Sequence, residues 1–232
     1  MKIASLAAKL VDDEKSFLWL QSDLKRLINL FTSVYMNNDG TCIVNEQTAV
    51  SMIIYHGLYD RLEPLANQLL QTVQAHDYHH HCGMVGLRHL YEALNICGYQ
   101  EVAYRIINAE GYPSYRDWVE GDATTLWETW QPGNSKNHHM YSDFMSWIMK
   151  TLVGISPVIE APGFAEVNIN PAFISQLDYC SGYCDTIRGR IIVNRQRKDN
   201  KTELFISLPE GVSGRFKGQV LESGEHRFLL KA

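Results

Sequence analysis

The chain has 232 residues, more than one average domain and fewer than two, and its composition of 45% hydrophobic and 20% charged residues is typical of a globular protein. Its net charge of -5 excludes a basic nucleic-acid-binding module, and its apolar runs are too short for a membrane span. Five cysteines, an odd number, exclude a small disulfide-bonded scaffold. No signal-peptide pattern is visible near Met1, and the sequence does not indicate a compartment.

Apolar residues in the first two thirds of the chain recur every three or four positions, which predicts amphipathic helices. In Ser16–Tyr35 this spacing puts the apolar side chains on one face, with Lys25, Arg26 and Asn29 on the other. The turn cluster Asn37–Gly40 ends this helix. Further helices are predicted over Asn45–Tyr55, Leu62–His76, Met84–Cys97, Glu101–Ala109 and His138–Val153. Short connections between helices of this length predict stacked helical hairpins.

Beyond Ser156 the apolar residues alternate with polar ones, which predicts β-strands. Strands are predicted over Ala165–Ile169, Arg188–Arg197, Thr202–Leu208, Val212–Leu221 and His226–Leu230. About four to six strands separated by turns predict a small antiparallel β-sandwich. We therefore expect a multi-domain α and β protein, with a helical-hairpin domain over residues 1–158 and a β-sandwich over residues 159–232.

The densest cluster of candidate functional residues lies in Gly111–Met140. It holds three tryptophans, four carboxylates and the adjacent pair His138 and His139. An indole ring can stack on the apolar face of a sugar while carboxylates bind its hydroxyls, and glycoside hydrolysis uses a pair of carboxyl groups. Tryptophans at this spacing are also common in protein cores, so composition alone leaves both interpretations open.

Six short motifs follow one another along the chain. They are Gln47-Thr48-Ala49, His79-x-x-Cys82-Gly83-x-x-Gly86, Tyr112-Pro113-Ser114-Tyr115, Ala123-Thr124-Thr125-Leu126-Trp127-Glu128-Thr129-Trp130, Ser135-Lys136-Asn137-His138 and Ala161-Pro162-Gly163-Phe164. In these motifs and in their order the chain resembles the bacterial α-L-rhamnosidases, inverting enzymes of glycoside hydrolase family 78. The resemblance covers nearly the whole chain. It implies half of an (α/α)6 toroid of helical hairpins followed by the family's C-terminal β-sandwich.

The resemblance implies roles for four residues. Glu128 corresponds to the general base that activates water, and inversion requires this carboxylate to lie about 6.5–9.5 Å from the general acid. His138 and His79 correspond to substrate-pocket histidines, the alternatives being a helix cap and a plain loop cluster. The resemblance points to His138 rather than His139, and because neighbours on a helix point about 100° apart, one of them can face the pocket while the other packs elsewhere. Trp127 is either a sugar platform or a packing residue that fixes Glu128.

Two departures from the family pattern bear on activity. Asp122 replaces the usual glycine, and a carboxylate close to Glu128 would raise the pKa of one or both groups. Between Met1 and Ile43 no segment resembles the one that carries the family's general acid, whose loss costs about 10²–10⁴ in rate. We do not expect a local carboxylate to replace that acid; the nearby ones are Asp117, Glu120 and Asp143.

The stretch His76–Cys82 invites a metal hypothesis, because histidine and cysteine are zinc ligands. Neither this stretch nor Cys180-x₃-Cys184 shows the paired spacing of a zinc site, and three consecutive histidines do not converge on one ion from regular backbone. We therefore expect no metal and no cofactor, and neither a nucleic acid nor a membrane as partner.

Two hypotheses for function follow. In the first, the chain is a portion of an α-L-rhamnosidase that releases terminal L-rhamnose from a glycan or glycoside, with inversion, when the barrel is complete. The alternative is a non-catalytic carbohydrate-binding or assembly module derived from such an enzyme by truncation. Half a barrel leaves an apolar seam at each end, so we expect either a homo-oligomer or a separate N-terminal half as partner.

Overall fold

The computed structural model describes residues 1–231. These residues form two compact units, Met1–Cys97 and a second unit that begins at Gly98. The helices are, in chain order, α1 Lys2–Leu10, α2 Glu14–Tyr35, α3 Gln47–His56, α4 Leu62–Ala75, α5 Met84–Ile96, α6 Gln100–Ile107, α7 Tyr115–Glu120 and α8 Asp143–Trp147. In the part of the chain so described, no helix is long and apolar enough to cross a membrane. The domain boundary at residues 158/159 stays a prediction.

The helices predicted between Ser16 and Ala109 are confirmed to within about two residues at each end. Gly57 ends helix α3, because it takes a left-handed conformation (φ 64°) directly after the last helical residue. The short helices α1 and α7 were not predicted.

The single helix predicted over His138–Val153 is wrong. The structure has a 3-10 turn at His139–Tyr141, then α8, then a π-helix at Ile148–Val153. The carbonyl oxygen of Tyr141 accepts a hydrogen bond from the hydroxyl of Tyr115 (2.7 Å). Because this carbonyl is engaged by a side chain and Ser142 has a ψ of 1°, the helical ladder is interrupted there.

The core of the first unit lies among α3, α4 and α5. Val50, Leu65, Leu69, Leu87 and Leu90 are fully buried there. Helix α2, although it is the longest of the described helices, contains no buried residue. Apolar side chains on it therefore remain in contact with solvent.

The second unit contains two four-stranded sheets. The strands are β1 Ile155–Pro157, β2 Glu166–Ile169, β3 Tyr179–Thr186, β4 Gly189–Lys198, β5 Lys201–Leu208, β6 Ser213–Phe216, β7 Gln219–Leu221 and β8 Gly224–Lys231. Their orders are β1-β2-β6-β7 and β3-β4-β5-β8, with every pair antiparallel except β2 with β6. Buried Val167, Ile169, Ile191, Val193 and Ile206 belong to the apolar core that both sheets share.

The expected β-sandwich is thus present, but the strand count of four to six is too low for residues 1–231, in which eight strands occur. Strands β1 and β3 were not predicted. The single strand predicted over Val212–Leu221 is wrong, because Lys217 and Gly218 both take positive φ values (46° and 77°) and turn the chain between β6 and β7.

Candidate active site

The segment that carries Glu128 begins at a helix cap. Ser114, of the Tyr-Pro-Ser motif, is fully buried, and its hydroxyl oxygen accepts the backbone N–H of Asp117 (3.0 Å) at the start of α7. This is the ordinary N-cap interaction of serine, worth about 1 kcal/mol. The motif residue therefore sets the start of α7, which presents Tyr115 and Trp118 to the interior.

A cluster of four buried aromatic residues supports the loop after α7: Tyr115, Trp118, Trp130 and Tyr141. The rings of Trp118 and Trp130 are 4.7 Å apart, as are those of Trp130 and Tyr141. The indole N–H of Trp118 also donates to the carbonyl of Trp130 (3.3 Å). Two of the three tryptophans in the motif region are thus core residues; Trp118 anchors the start of the loop and Trp130 its middle.

Glu128 lies half-buried in this loop, between Trp118 and Tyr141 in the chain. Its backbone N–H donates to the carbonyl of Ser135 (2.9 Å), and the backbone N–H of Ser135 donates to Oε2 of the Glu128 carboxylate (3.2 Å). Two further bonds hold the same pairing, from the N–H of His138 to the carbonyl of Leu126 (2.8 Å) and from the hydroxyl of Thr125 to the carbonyl of Lys136. One carboxylate oxygen is thereby oriented, and Oε1 receives no hydrogen bond from residues 1–231.

Trp127 is held on one side by the aromatic cluster. Its ring lies 5.5 Å from that of Trp118, and the ammonium group of Lys136 lies over it at 4.8 Å. A sugar that stacked on this ring would either share the ring with Lys136 or displace the lysine ammonium group. These contacts favour the packing alternative for Trp127, in which the indole fixes the position of Glu128.

His138 has extended backbone (φ -140°, ψ 123°) and precedes the 3-10 turn, so it is not a helical residue. The helical spacing of adjacent residues therefore does not apply to His138 and His139, whose rings are nearly parallel, at 5° and 5.8 Å between centroids. Atom Nδ1 of His138 is buried and has no hydrogen-bond partner among residues 1–231. A buried polar atom of this kind normally has a partner, so His138 is an exception within the described residues.

His79 belongs to the first unit, where it lies half-buried in the loop between α4 and α5. Buried Gln47 holds this loop, because its amide donates to the carbonyl of His79 (3.0 Å) and accepts the backbone N–H of His81 (2.8 Å). Nδ1 of His79 lies 2.9 Å from the carbonyl of Asp77. The Gln-Thr-Ala motif thus supports the His79 loop, a role that sequence reasoning missed although both motifs were noted.

The same loop explains two more motif residues. A side chain at Gly86 would come within 2.3 Å of the hydroxyl of Thr48 and 2.6 Å of Cβ of Cys82, so only glycine fits. Burial raises the pKa of Cys82 to about 12, which keeps the thiol protonated at neutral pH. Within the described chain, no three His, Cys, Asp or Glu side chains are grouped to hold a metal ion.

Asp122 has a positive φ of 62°. Glycine adopts this conformation without cost, whereas aspartate is among the few other residues that tolerate it. The backbone at position 122 therefore requires a residue that tolerates a positive φ, which is glycine in the family pattern and aspartate in this chain. Of the other nearby carboxylates, Glu120 is exposed and accepts a hydrogen bond from Arg116 (2.7 Å).

Two family models match this chain. The bacterial alpha-L-rhamnosidase 6 hairpin glycosidase domain matches residues 1–152, and the bacterial alpha-L-rhamnosidase C-terminal domain matches residues 154–219. The chain belongs to the bacterial α-L-rhamnosidase family. The resemblance found in the motifs is thereby confirmed, and the helical segment followed by β-sheets is the fold of this family's solved members.

Curated relatives and solved structures carry the same name. The α-L-rhamnosidases of Alteromonas sp. (strain LOR) and Streptomyces avermitilis are 27% and 26% identical over 83% and 89% of this chain. The chain spans 22% and 21% of their lengths, about a fifth. The structures of the Dictyoglumus thermophilum enzyme and of the S. avermitilis enzyme complexed with L-rhamnose superpose with TM-scores of 0.90 and 0.87. At 24% identity each covers 98% of this chain, which itself spans 30% and 26% of those chains.

Proposed function

We propose that this chain is the C-terminal portion of an α-L-rhamnosidase and that Glu128 is the general base of its reaction. The substrate is a glycan or glycoside that ends in α-L-rhamnose. This choice of sugar is supported by the relatives' names and by the L-rhamnose bound to the S. avermitilis enzyme. The reaction requires a complete barrel, because the resemblance puts the general acid in the half that precedes the helices described above.

The position of the Glu128 carboxylate carries this proposal. A general base must be held in place and still have one oxygen open to water. In Glu128 the Ser135 N–H binds Oε2, and no protein group among residues 1–231 binds Oε1. The buried aromatic cluster holds the loop on which this pairing depends.

In the proposed reaction, Oε1 of Glu128 removes a proton from a water molecule as that water attacks the anomeric carbon of rhamnose. The bond from this carbon to the glycosidic oxygen breaks, and a carboxylic acid from the other half of the barrel protonates the leaving oxygen. The water attacks opposite the leaving group, so the configuration is inverted.

The other candidate residues take supporting roles in this proposal. His138, which is half-buried in the Glu128 loop, is a substrate contact through its imidazole ring. His79 is a second substrate contact, and Gln47 holds its loop by two hydrogen bonds. Trp127 contributes chiefly by packing on Trp118 behind Glu128.

The hairpin of α1 and α2 is the proposed site of self-association. Trp19, Leu27, Leu30 and Val34 recur along one side of α2 and are 64%, 38%, 55% and 54% exposed. A row of exposed apolar residues on a helix is typical of an interface. Without a separate N-terminal half to cover this row, we propose that a second copy of the chain covers it.

The proposed role of Glu128 can be tested in a complete barrel. A chimera in which this chain replaces the matching part of the S. avermitilis enzyme is assayed with an aryl α-L-rhamnoside. We expect the chimera to hydrolyse it and Glu128→Gln to lower kcat by about 10²–10⁴, because the amide cannot accept the proton. The isolated chain, which lacks the acid, is expected to show no turnover.

Glu120→Gln is the matched control, since Glu120 is a nearby exposed carboxylate that pairs with Arg116. It should keep the activity of the unmodified chimera. A folded chimera without activity, or a Glu128→Gln chimera as active as the control, would contradict the proposal.

A further inference from the structure

The outer face of the sheet β3-β4-β5-β8 carries a shallow cavity of about 870 Å³. It lies entirely within the second unit, on the side of the sheet turned away from the apolar core. Binding sites for small ligands have volumes of about 300–1,000 Å³ and combine apolar walls with a few polar groups. The cavity therefore has the size of a ligand site and is separate from the Glu128 loop in the chain.

Strand register brings two rows of side chains together in this cavity. The first row crosses the four strands as Ser181, Asn194, Phe205 and Arg227. The second row crosses them as Tyr179, Gln196, Glu203 and Leu229. Neighbouring strands lie about 4.8 Å apart, so each row is about 14 Å long, enough for more than one sugar ring.

Three ion pairs lie on this face, and two of them include the charged side chains of the cavity, Glu203 and Arg227. Arg190 binds Asp185 (2.6 Å), Lys198 binds Glu203 (2.9 Å) and Arg227 lies 3.8 Å from Glu225. Of the charged side chains on this face, only Glu203 and Arg227 line the cavity, and their charges cancel; Lys201 and Lys231 lie on the same face but outside the cavity lining. Such a surface matches an uncharged ligand better than an anionic one.

The aromatic rings of the face differ in accessibility. The guanidinium of Arg190 lies over the Tyr183 ring at 4.0 Å, and that of Arg227 lies over the Phe205 ring at 4.7 Å. Tyr179, in contrast, is 72% exposed at the edge of the cavity. Its ring is open to stacking with the apolar face of a sugar, whereas a guanidinium already lies over each of the other two rings.

Hydrogen-bonding groups lie beside the Tyr179 ring. The Ser181 hydroxyl donates to Oδ1 of Asn194 (2.5 Å), which directs the amide of Asn194 so that its NH₂ group remains for a ligand. Exposed Gln196 is the direct cross-strand neighbour of Tyr179 and offers both a donor and an acceptor. Sugar hydroxyls need such alternating donors and acceptors.

We propose that this outer face is a second carbohydrate site, which binds an uncharged glycan chain by stacking on Tyr179 and by hydrogen bonds to Asn194 and Gln196. The site holds the polysaccharide while a terminal rhamnose is removed elsewhere on the enzyme. Only this choice of glycan rests on the proposed function. Binding itself is independent of hydrolysis.

Affinity electrophoresis of the full chain tests the site, with a neutral rhamnan, an acidic polygalacturonate or no polysaccharide in the gel. The chain carries Glu128→Gln so that no hydrolysis occurs. We expect the rhamnan to retard it and Tyr179→Ala to weaken binding about three- to tenfold, as the loss of one aromatic stacking contact does. Tyr183→Ala is the matched control: it lies on the same strand and face, but its ring is already covered by Arg190.

Equal weakening by Tyr183→Ala, unchanged binding by Tyr179→Ala, stronger binding to polygalacturonate or no retardation by rhamnan would each overturn the proposal. Thermal melting of both variants establishes that they are folded. Because retardation does not depend on turnover, an inactive chimera that carries a rhamnan-binding chain would refute the proposed function and leave this site intact. An active chimera whose chain is not retarded by rhamnan would support the proposed function and refute this second site.

Discussion

The α1–α2 hairpin and the β-sandwich contain similar apolar residues but bury them to very different extents. In the sandwich Val167, Ile191 and Ile206 are fully buried between two sheets that this chain supplies by itself. In the hairpin α2 has no buried residue, and Trp19 and Leu30 are more than half exposed. The sandwich therefore buries its apolar core within this chain, whereas the hairpin leaves an apolar surface exposed to solvent.

This difference bears on which parts of the chain are stable by themselves. Burial of an apolar side chain such as Leu or Ile contributes about 1.5–3 kcal/mol relative to leaving it in water. The sandwich obtains this contribution within one chain, while the outer row of α2 obtains it only on association. Each prediction below changes one side of this contrast.

The largest effect is expected for a truncation in the sandwich core. Ile206→Ala should lower the free energy of unfolding by about 2–5 kcal/mol, since it removes buried methyl groups and leaves a cavity. Leu30→Ala, a similar truncation on α2, should change the stability of the monomer by less than about 0.5 kcal/mol. Urea denaturation at low protein concentration measures both, and equal effects would show that α2 is buried within the monomer.

The next effect concerns association. We expect light scattering to find species larger than a monomer at tens of micromolar, and the double variant Leu30→Lys, Val34→Lys to be monomeric because it puts charge into the apolar row. Asn29→Lys, which adds the same charge on the polar side of α2, should associate as the unmodified chain does. A monomeric unmodified chain would contradict the proposed interface.

The smallest effect is expected in the Glu128 loop. This loop is half-buried, which is intermediate between the buried sandwich core and the exposed row on α2. Asp122 has a positive φ, so Asp122→Val should lower the free energy of unfolding by about 1–2 kcal/mol. Asp122→Gly should remain within about 0.5 kcal/mol, since glycine adopts the conformation freely but has more freedom when unfolded. Chemical denaturation distinguishes the two, and a valine variant as stable as the glycine variant would refute the backbone explanation.

The sequence predicted most of the helices and their ends, because three- to four-residue periodicity and terminal residues such as Gly57 are local signals. It did not predict β3, which contains a glycine and an aspartate, residue types that are depleted in strands. That strand forms because it pairs with β4 over its whole length, and Gly182 lets it approach Val153, to which a Cβ would come within 2.6 Å. Such contacts between distant residues leave no local pattern.

The candidate site shows the same limit. The motifs identified Glu128 and His138, and they grouped Trp127 with them. They did not show that Gln47 holds the His79 loop, since that contact joins residues 32 positions apart. The conformation of His138 was also mispredicted, because its backbone N–H pairs with the carbonyl of Leu126, twelve residues earlier, and its backbone is extended there.

The stereochemistry of the first product tests most directly the claim that Glu128 activates water. Proton NMR can follow the chimera during its first minutes of hydrolysis of an aryl α-L-rhamnoside, before the free sugar equilibrates between its anomers. We expect β-L-rhamnose to appear first, because water activated by Glu128 attacks opposite the leaving group. If α-L-rhamnose appeared first, the product would have retained its configuration, and Glu128 would not be the general base of a single displacement by water.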